Sequence, residues 1–329
     1  MSLKAIASVL GLSVTTVSRA LNGYEDVAKH TRQRVEEEAR QRGYRPNVAA
    51  RRLKTGRANA VGVVYPMSAP PLSDIHFNKI LLALDQRLSH YDIDLLLLTD
   101  KPCDGQRSLM RMLRSRVVDA LIITHTLPQD ERLRCLQHKG FNFLSLGRTD
   151  AQQNHAWFDV DNAAGSALAV KHCLNQGMQR IAFLGGNERC TFVRDRRQGY
   201  LNALDSVPPY ATAAVAPSRR AGYQQVSAWL AEGLQPQAII TDSSTLAEGA
   251  LMALQQAGRL QGKDAITLMA WDGLPVDAII DFPVIAIRQA SEQERGEQLA
   301  TMVMQLLDGA PLAQLQVLWQ PSLQLPAQR

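Results

Sequence analysis

In the stretch LSVTTVSRALNG, residues 12–23, Val14, Thr15, Ser18 and Arg19 fall on one side of a helical repeat and Val17 and Leu21 on the other. Side chains of this kind can read the edges of stacked bases. Val14 suits a thymine methyl, Thr15 can bond to a base or its neighbour, and Arg19 can fork onto guanine. The bland alternative is the polar surface of an ordinary amphipathic helix. Positioning such a face takes a scaffold, and its elements are readable on either side. Leu3, Ile6, Ala7 and Leu10 recur at helical spacing, Gly11 breaks the pattern, and Ser13 is a good N-cap for a second helix over residues 14–21. Two short helices joined by a tight turn predict a helix-turn-helix, whose second helix enters the major groove. A third helix is expected over residues 31–42, with Val35 and Ala39 buried and Gly43 as its stop.

Charge points to the same kind of partner. Residues 1–57 hold twelve Lys and Arg against five Asp and Glu, a net of +7, which leaves −2 for the remainder of a chain whose total is +5. A concentrated cationic segment favours a polyanion such as double-stranded DNA. After Pro46, Asn47 can cap a short segment over residues 48–54, and Arg51, Arg52, Lys54 and Arg57 crowd around it. Two turns are too few to offset helix nucleation, so order there is expected only on DNA.

Other classes find little support. Cys103, Cys135, Cys173 and Cys190 are scattered without a C-x-x-C pair, which fits a reducing cytoplasm and neither a disulfide framework nor a zinc site. The apolar runs, such as residues 95–98, are far short of a membrane span, and the N-terminus lacks the apolar core of a signal peptide. The LGG at 184–186 is not G-x-G-x-x-G, no phosphate-binding loop exists, and the seven histidines show no ligand spacing. Neither an enzyme nor a cofactor nor a metal is expected.

From Asn59 onward, apolar runs at 60–66, 93–99, 119–124, 141–147, 180–186, 238–241 and 265–271 alternate with helical patterns at 77–90, 162–176, 194–205 and 245–258. This alternation predicts doubly wound α/β layers that gather ligands beyond the carboxyl ends of their strands, and the length predicts two lobes. Ile80, Leu81, Leu84 and Leu88 on the first of these helices are expected at a lobe interface.

The N-terminal segment resembles the headpiece of the LacI/GalR family of transcriptional regulators. It matches I-A-x-x-L-G-L-S-x-x-T-V-S-R-A-L-N-G (6–23), T-R-x-R-V (31–35) and G-Y-R-P-N-x-x-A-R-x-L (43–53). The remainder matches V-D-N-x-x-G (160–165), G-x-x-R-I-A-F-L-G-G (177–186), R-x-x-G-Y-x-x-A-L (196–204) and the pair Trp271-Asp272. The resemblance implies an all-α helix-turn-helix headpiece over residues 1–57, with a hinge helix at about 47–55. A two-lobed α/β domain of doubly wound parallel sheets, similar to periplasmic sugar-binding proteins, would follow over 58–329. Its lobes would comprise residues 58–159 with 289–316, and 160–288 with 317–329.

Further implications concern single residues. Val14, Thr15, Ser18 and Arg19 would read bases, while Asn47, Ala50, Arg51 and Leu53 would serve the minor groove, Leu53 as a wedge that kinks the duplex. His76, Phe77, Arg148, Arg196, Ser243, Trp271 and Asp272 would face a small effector. A sugar offers hydroxyl pairs and an apolar face, so Asp, Arg and an aromatic surface are the chemistry it needs. Three departures stand out: Ala28 replaces the serine that usually caps the third helix, Ser243-Ser244 replaces an Asn-Asp pair, and Pro217 stands where several members carry an aromatic.

The resemblance implies a homodimeric repressor on a pseudo-palindromic operator, released by a mono- or oligosaccharide; it is nearest to regulators of sugar uptake, α-galactosides of the raffinose type among them. An activator or corepressor-type member answering to a nucleoside is the alternative, and a sugar-binding protein or enzyme without a DNA role is a more distant one. The absence of leucine heptads after residues 317–325 argues for dimers that do not pair further.

Overall fold

The computed structural model describes residues 2–21, 24, 26–44, 56–66, 75–100, 107–150, 154–187, 189–275, 277–278, 280 and 282–326. Contacts divide the chain into two compact units, Met1–Ala58 and Asn59–Arg329.

In the first unit, helices α1 (Leu3–Leu10), α2 (Val14–Leu21) and α3 (Lys29–Gln41) enclose Ile6, Ala7, Val17, Ala20, Val27, Val35 and Ala39. Gly11 ends α1 in the left-handed conformation at φ 65°, the backbone state glycine adopts most readily. Two residues later Ser13 starts α2, its Oγ accepting the Thr16 N–H at 3.0 Å. Leu21, expected to be buried, is half-buried against this core, and Ala20 fills the central position. Helix α3 starts two residues earlier than expected. Ala28 offers no side-chain cap, but its carbonyl accepts the Arg32 N–H at 3.0 Å and Val27 anchors the entry. The hinge positions Asn47, Ala50, Arg51 and Leu53 lie outside the described residues.

The second unit is built on two six-stranded sheets. The first, wholly parallel, joins β1 (Ala60–Pro66), β2 (Asp94–Asp100), β3 (Ala120–Ile123), β4 (Phe143–Leu146), β5 (Ala156–Val160) and β11 (Gln316–Trp319) in the order β11-β5-β4-β3-β1-β2. The second joins β6 (Ile181–Gly186), β7 (Ala211–Val215), β8 (Ala238–Thr241), β9 (Thr267–Trp271), β10 (Ile285–Arg288) and β12 (Ser322–Gln324) in the order β12-β10-β9-β8-β6-β7. Only β12 runs antiparallel, a common departure at the edge of a parallel sheet.

Alternation governs the second lobe's core. Ala182 and Leu184 pack on one face of β6 and Ile181 and Phe183 on the other; Ile239 and Ile240 divide in the same way. Each face is covered by helices, which is why such strands read as unbroken apolar runs. In the first lobe, α4 (Ile75–Ser89) turns Ile80, Leu84 and Leu88 into its own core against Leu299, Val303 and Leu306 of α11 (Glu292–Leu307).

The chain passes between the lobes three times: after β5, after β10, and between β11 and β12. The last passage corrects the expected boundary at 316/317. Residues 316–319 pair with Ala156–Val160, Trp319 packs edge-on to Phe158 at 4.9 Å, and only beyond Pro321, which has no N–H for a ladder, does the chain join the second sheet.

Two glycines of the sequence motifs mark close approaches. At Gly199 helix α8 (Thr191–Ala203) crosses α7 (Asn162–Asn175) so tightly that a Cβ would strike the Ala163 backbone. A Cβ at Gly165 would overlap the Trp271 ring. Among the described residues no helix is long and apolar enough to cross a membrane, and no group of three or more His, Cys, Asp or Glu could hold a metal ion. Cys135, Cys173 and Cys190 are unbridged, and Cys103 lies outside the described residues.

Candidate functional site

Strand ends converge on one cavity of about 230 Å³ in the second unit. Tyr65 closes β1, Thr124 and His125 follow β3, Gly147 follows β4, Asp159 and Val160 end β5, Gly186 ends β6, and Asp242 to Thr245, Asp272 and Gln289 follow β8, β9 and β10. Both sheets therefore present their carboxyl ends to the same space, the usual place for a ligand in doubly wound layers.

Arg196 of α8 is the hub. Its Nε donates to Asn162 Oδ1 at 2.8 Å, its Nη1 donates to the Asp242 carbonyl at 2.6 Å, and its guanidinium lies 3.9 Å from the Trp271 ring centroid. Burial pulls the Arg196 pKa down, and the carboxylates of Asp272, Asp242 and Asp159 oppose that pull. Asn162 in turn donates to Asp159 Oδ1 at 3.2 Å and to the Val160 carbonyl at 2.8 Å, and Asp159 receives Arg148 Nε at 2.9 Å. Burial raises the pKa values of Asp159 and Asp242. The Asp242 carboxylate accepts the Gly186 N–H at 2.7 Å, which together with the Arg196 charge favours its ionised form. Asp272 adopts φ 60°, accepts from Gln289 Nε2 at 2.8 Å on Oδ2, and holds Arg288 through its carbonyl at 2.9 Å. Such a rim of fixed donors and acceptors can bind hydroxyl pairs in defined orientation.

Aromatic rings complete the lining. Tyr65, Phe77 and Phe192 surround His125 edge-on with ring centroids 4.8, 6.4 and 6.0 Å away, and Phe192 also lies 5.0 Å from the Arg196 guanidinium. Burial, with the nearby Arg132 charge, lowers the His125 pKa to about 4, so its imidazole is neutral at physiological pH. Its loop is pinned from behind: Arg132 donates to both carboxylate oxygens of Asp130, at 3.0 and 2.7 Å, and to the Thr124 and His125 carbonyls, each at 3.1 Å.

The residues expected at an effector site fall into three groups. His76, Phe77, Arg196, Ser243 and Asp272 line the cavity together. Arg148 stands just outside it and reaches the lining through Asp159. Trp271 is fully buried behind Arg196 and donates from Nε1 to Ser166 Oγ at 3.3 Å; it supports the guanidinium and does not line the cavity. Pro217 does line it, and Ser243 also caps α10 (Ser244–Gln256), receiving the Leu246 N–H. Sequence reasoning missed Asp159, Asn162, Asp242, His125, Phe192, Gln289 and Arg295. Asp159 and Asp242 share one readable signal with Asp272, a carboxylate at the carboxyl end of a buried strand.

In the first unit, Val14 and Thr15 are exposed at the start of α2, while Ser18 and Arg19 are partly covered. Arg19 donates from Nε to Asp26 Oδ1 at 3.2 Å and lies 5.0 Å from the Tyr24 ring centroid, so its fork is held at the protein surface.

Known proteins share this organisation. The profile of periplasmic binding proteins and the sugar-binding domain of the LacI family matches residues 58–318, and that of bacterial regulatory proteins of the lacI family matches residues 2–47. The HTH-type transcriptional regulator RafR of Escherichia coli is 46% identical over 323 residues, 98% of this chain and 96% of its own. The regulator AglR of Rhizobium meliloti (strain 1021) is 35% identical over 309 residues, 91% and 86% of the two chains. In fold, the Lac repressor dimer solved with operator and the anti-inducer ONPF matches with a TM-score of 0.84 at 23% identity, over 98% of this chain and 97% of that one. The helix-turn-helix unit, the paired parallel sheets and these matches together place the chain in the LacI family, as a transcriptional regulator with a DNA-binding headpiece and a sugar-binding domain.

Proposed function

We propose that the chain is a cytoplasmic repressor, without catalytic activity, that grips a pseudo-palindromic operator as a homodimer and lets go when a sugar fills the cavity. The observation that carries this reading is the cavity itself: a fixed Arg–Asn–Asp rim adjoins a cluster of aromatic rings, in a chain whose first unit carries an exposed helix-turn-helix face. Val14, Thr15, Ser18 and Arg19 read base edges, Arg19 exchanging Asp26 for a base. Asn47, Ala50, Arg51 and Leu53 act in the minor groove. His76, Phe77, Arg196, Ser243 and Asp272 contact the sugar, with Arg148 and Trp271 acting through Asp159 and Arg196.

A thermal-shift screen of the full chain against neutral mono- to trisaccharides and nucleosides, paired with operator titrations on the inverted repeats near its own gene, tests this. A sugar at 100 times its dissociation constant stabilises the folded state by about 2.7 kcal/mol. The same sugar should weaken binding to an inverted repeat. A nucleoside that shifts melting while every sugar fails would overturn the sugar assignment. Equal affinity for inverted repeats and scrambled duplex would overturn the repressor.

A further inference from the structure

Arg295, near the start of α11, is 6% exposed and lines the cavity from the first lobe. Its side chain makes no hydrogen bond or ion pair among the described residues, and its Nε is buried without an acceptor. Glu292, one turn earlier on the helix, feels the Arg295 charge, but its carboxylate is hydrogen-bonded to His76 Nδ1 at 2.5 Å and not to the guanidinium. Arg295 is held in place by the adjoining residue: Gly296 lets α11 press against α4 so closely that a Cβ would meet the Ile80 carbonyl and the Leu84 N–H. A buried guanidinium without hydrogen-bond acceptors is costly, and it persists where a ligand supplies them.

Carboxylate, phosphate and a vicinal diol can all accept a guanidinium fork. The charges lining the cavity choose among them. Asp159, Asp242 and Asp272 face the space shared by Arg196 and Arg295, so carboxylates outnumber guanidiniums and an anionic ligand is disfavoured. Arg196 already directs its Nε and Nη1 to Asn162 and the Asp242 carbonyl, which leaves it no free paired fork. We propose that Arg295 is a specificity-determining residue that donates paired hydrogen bonds to a vicinal pair of ring hydroxyls on a neutral sugar, from the wall opposite Asp272. The sugar is then held by both lobes at once. This rests on the sugar-binding reading above.

The test is calorimetric titration of the full chain, as wild type, Arg295→Met and Arg295→Lys, with neutral mono- to trisaccharides, their phosphorylated or uronic-acid counterparts and a deoxy analogue of each sugar that binds, together with melting curves without ligand. The expected result is a neutral sugar that binds wild type and binds Arg295→Met about 10- to 100-fold more weakly, the loss typical of hydrogen bonds to a charged group. Arg295→Lys keeps the charge without the planar fork and should recover only part of that loss. Unliganded Arg295→Met should melt no lower than wild type, because a buried guanidinium without hydrogen-bond acceptors is gone.

Unchanged sugar affinity in Arg295→Met overturns the proposal while leaving the sugar reading intact, and full recovery in Arg295→Lys overturns the fork. A lowered melting temperature in both variants assigns Arg295 to packing and also overturns it. Tighter wild-type binding of the charged counterparts, lost in Arg295→Met, overturns the neutral diol in favour of an anion. If no sugar binds wild type, the sugar reading falls and this inference falls with it.

Discussion

Asp272 shows how backbone and side chain cooperate at a single position. Its φ of 60° is unusual for a non-glycine residue, and Gln289 and Arg288 tie down its carboxylate and its carbonyl. Replacing it with Ala should weaken sugar binding about 10- to 100-fold, the range for a charged hydrogen-bonding partner, with operator affinity unchanged in the absence of sugar. Calorimetry and operator titration on the same preparation check both halves. His125 supplies a pH test. Its pKa falls from the ordinary 6.5 to about 4 in the folded chain. Between those values the unfolded chain takes up a proton that the folded protein refuses, so stability is full above pH 6.5 and declines as pH drops through the window, by about 3 kcal/mol. Denaturant unfolding of His125→Asn from pH 7 to 4.5 should show a shallower decline than wild type. Part of this site was legible in advance. Arg196 and Asp272 lie in spaced motifs next to apolar runs, whereas His125, Gln289 and Arg295 are single residues from two distant stretches, after β3 and after β10, that only the fold brings together.

At the scale of elements, helix starts depend on who answers their N–H groups. Ala28 brings no side-chain oxygen to α3, while Ser13, Asp130, Asp161, Ser218, Ser243 and Ser291 each cap their helices. Ala28→Ser should stabilise the first unit by about 1 kcal/mol, read as slower hydrogen exchange of the α3 amides. Gly199→Ala should destabilise the second unit by about 1–3 kcal/mol, because helix α8 must lift off α7 to clear the Ala163 backbone. Its denaturation midpoint measures this. Helices with clear apolar stripes could be drawn from sequence to within a few residues. The strands AWFDV, ATAAV and IAIR could not, since short runs rich in alanine or interrupted by a charge carry little periodicity. The run VLWQPSLQL reads as one strand, and only Pro321 hints that it serves two sheets.

Across the whole molecule, the two lobes of the second unit touch through small contacts. The Thr126 carbonyl accepts the Thr191 N–H at 2.8 Å and the Thr191 Oγ1 at 3.1 Å, and Arg194 reaches Asp150 at 2.5 Å with both partners about half exposed. An exposed pair of this kind is worth about 0–1 kcal/mol, so a ligand that spans the cleft can decide the lobe angle. If sugar and operator are coupled through that angle, the coupling must be mutual. A sugar that weakens operator binding about 100-fold must itself bind about 100-fold more weakly to the operator-bound protein, a coupling of about 2.7 kcal/mol. Titrating sugar with and without saturating operator checks this equality, and unequal factors would remove the linkage. The threefold passage of the chain between lobes also bears on biosynthesis. Helix α11 and the edge strands β11 and β12 follow every other element of the two lobes, so the first lobe waits for its packing helix and both sheets for a border until residues 292–324 leave the ribosome. A premature stop shortly before residue 292 would thus release a finished DNA-binding unit followed by two incomplete lobes, exposing the faces that α11 should bury to chaperones and proteases.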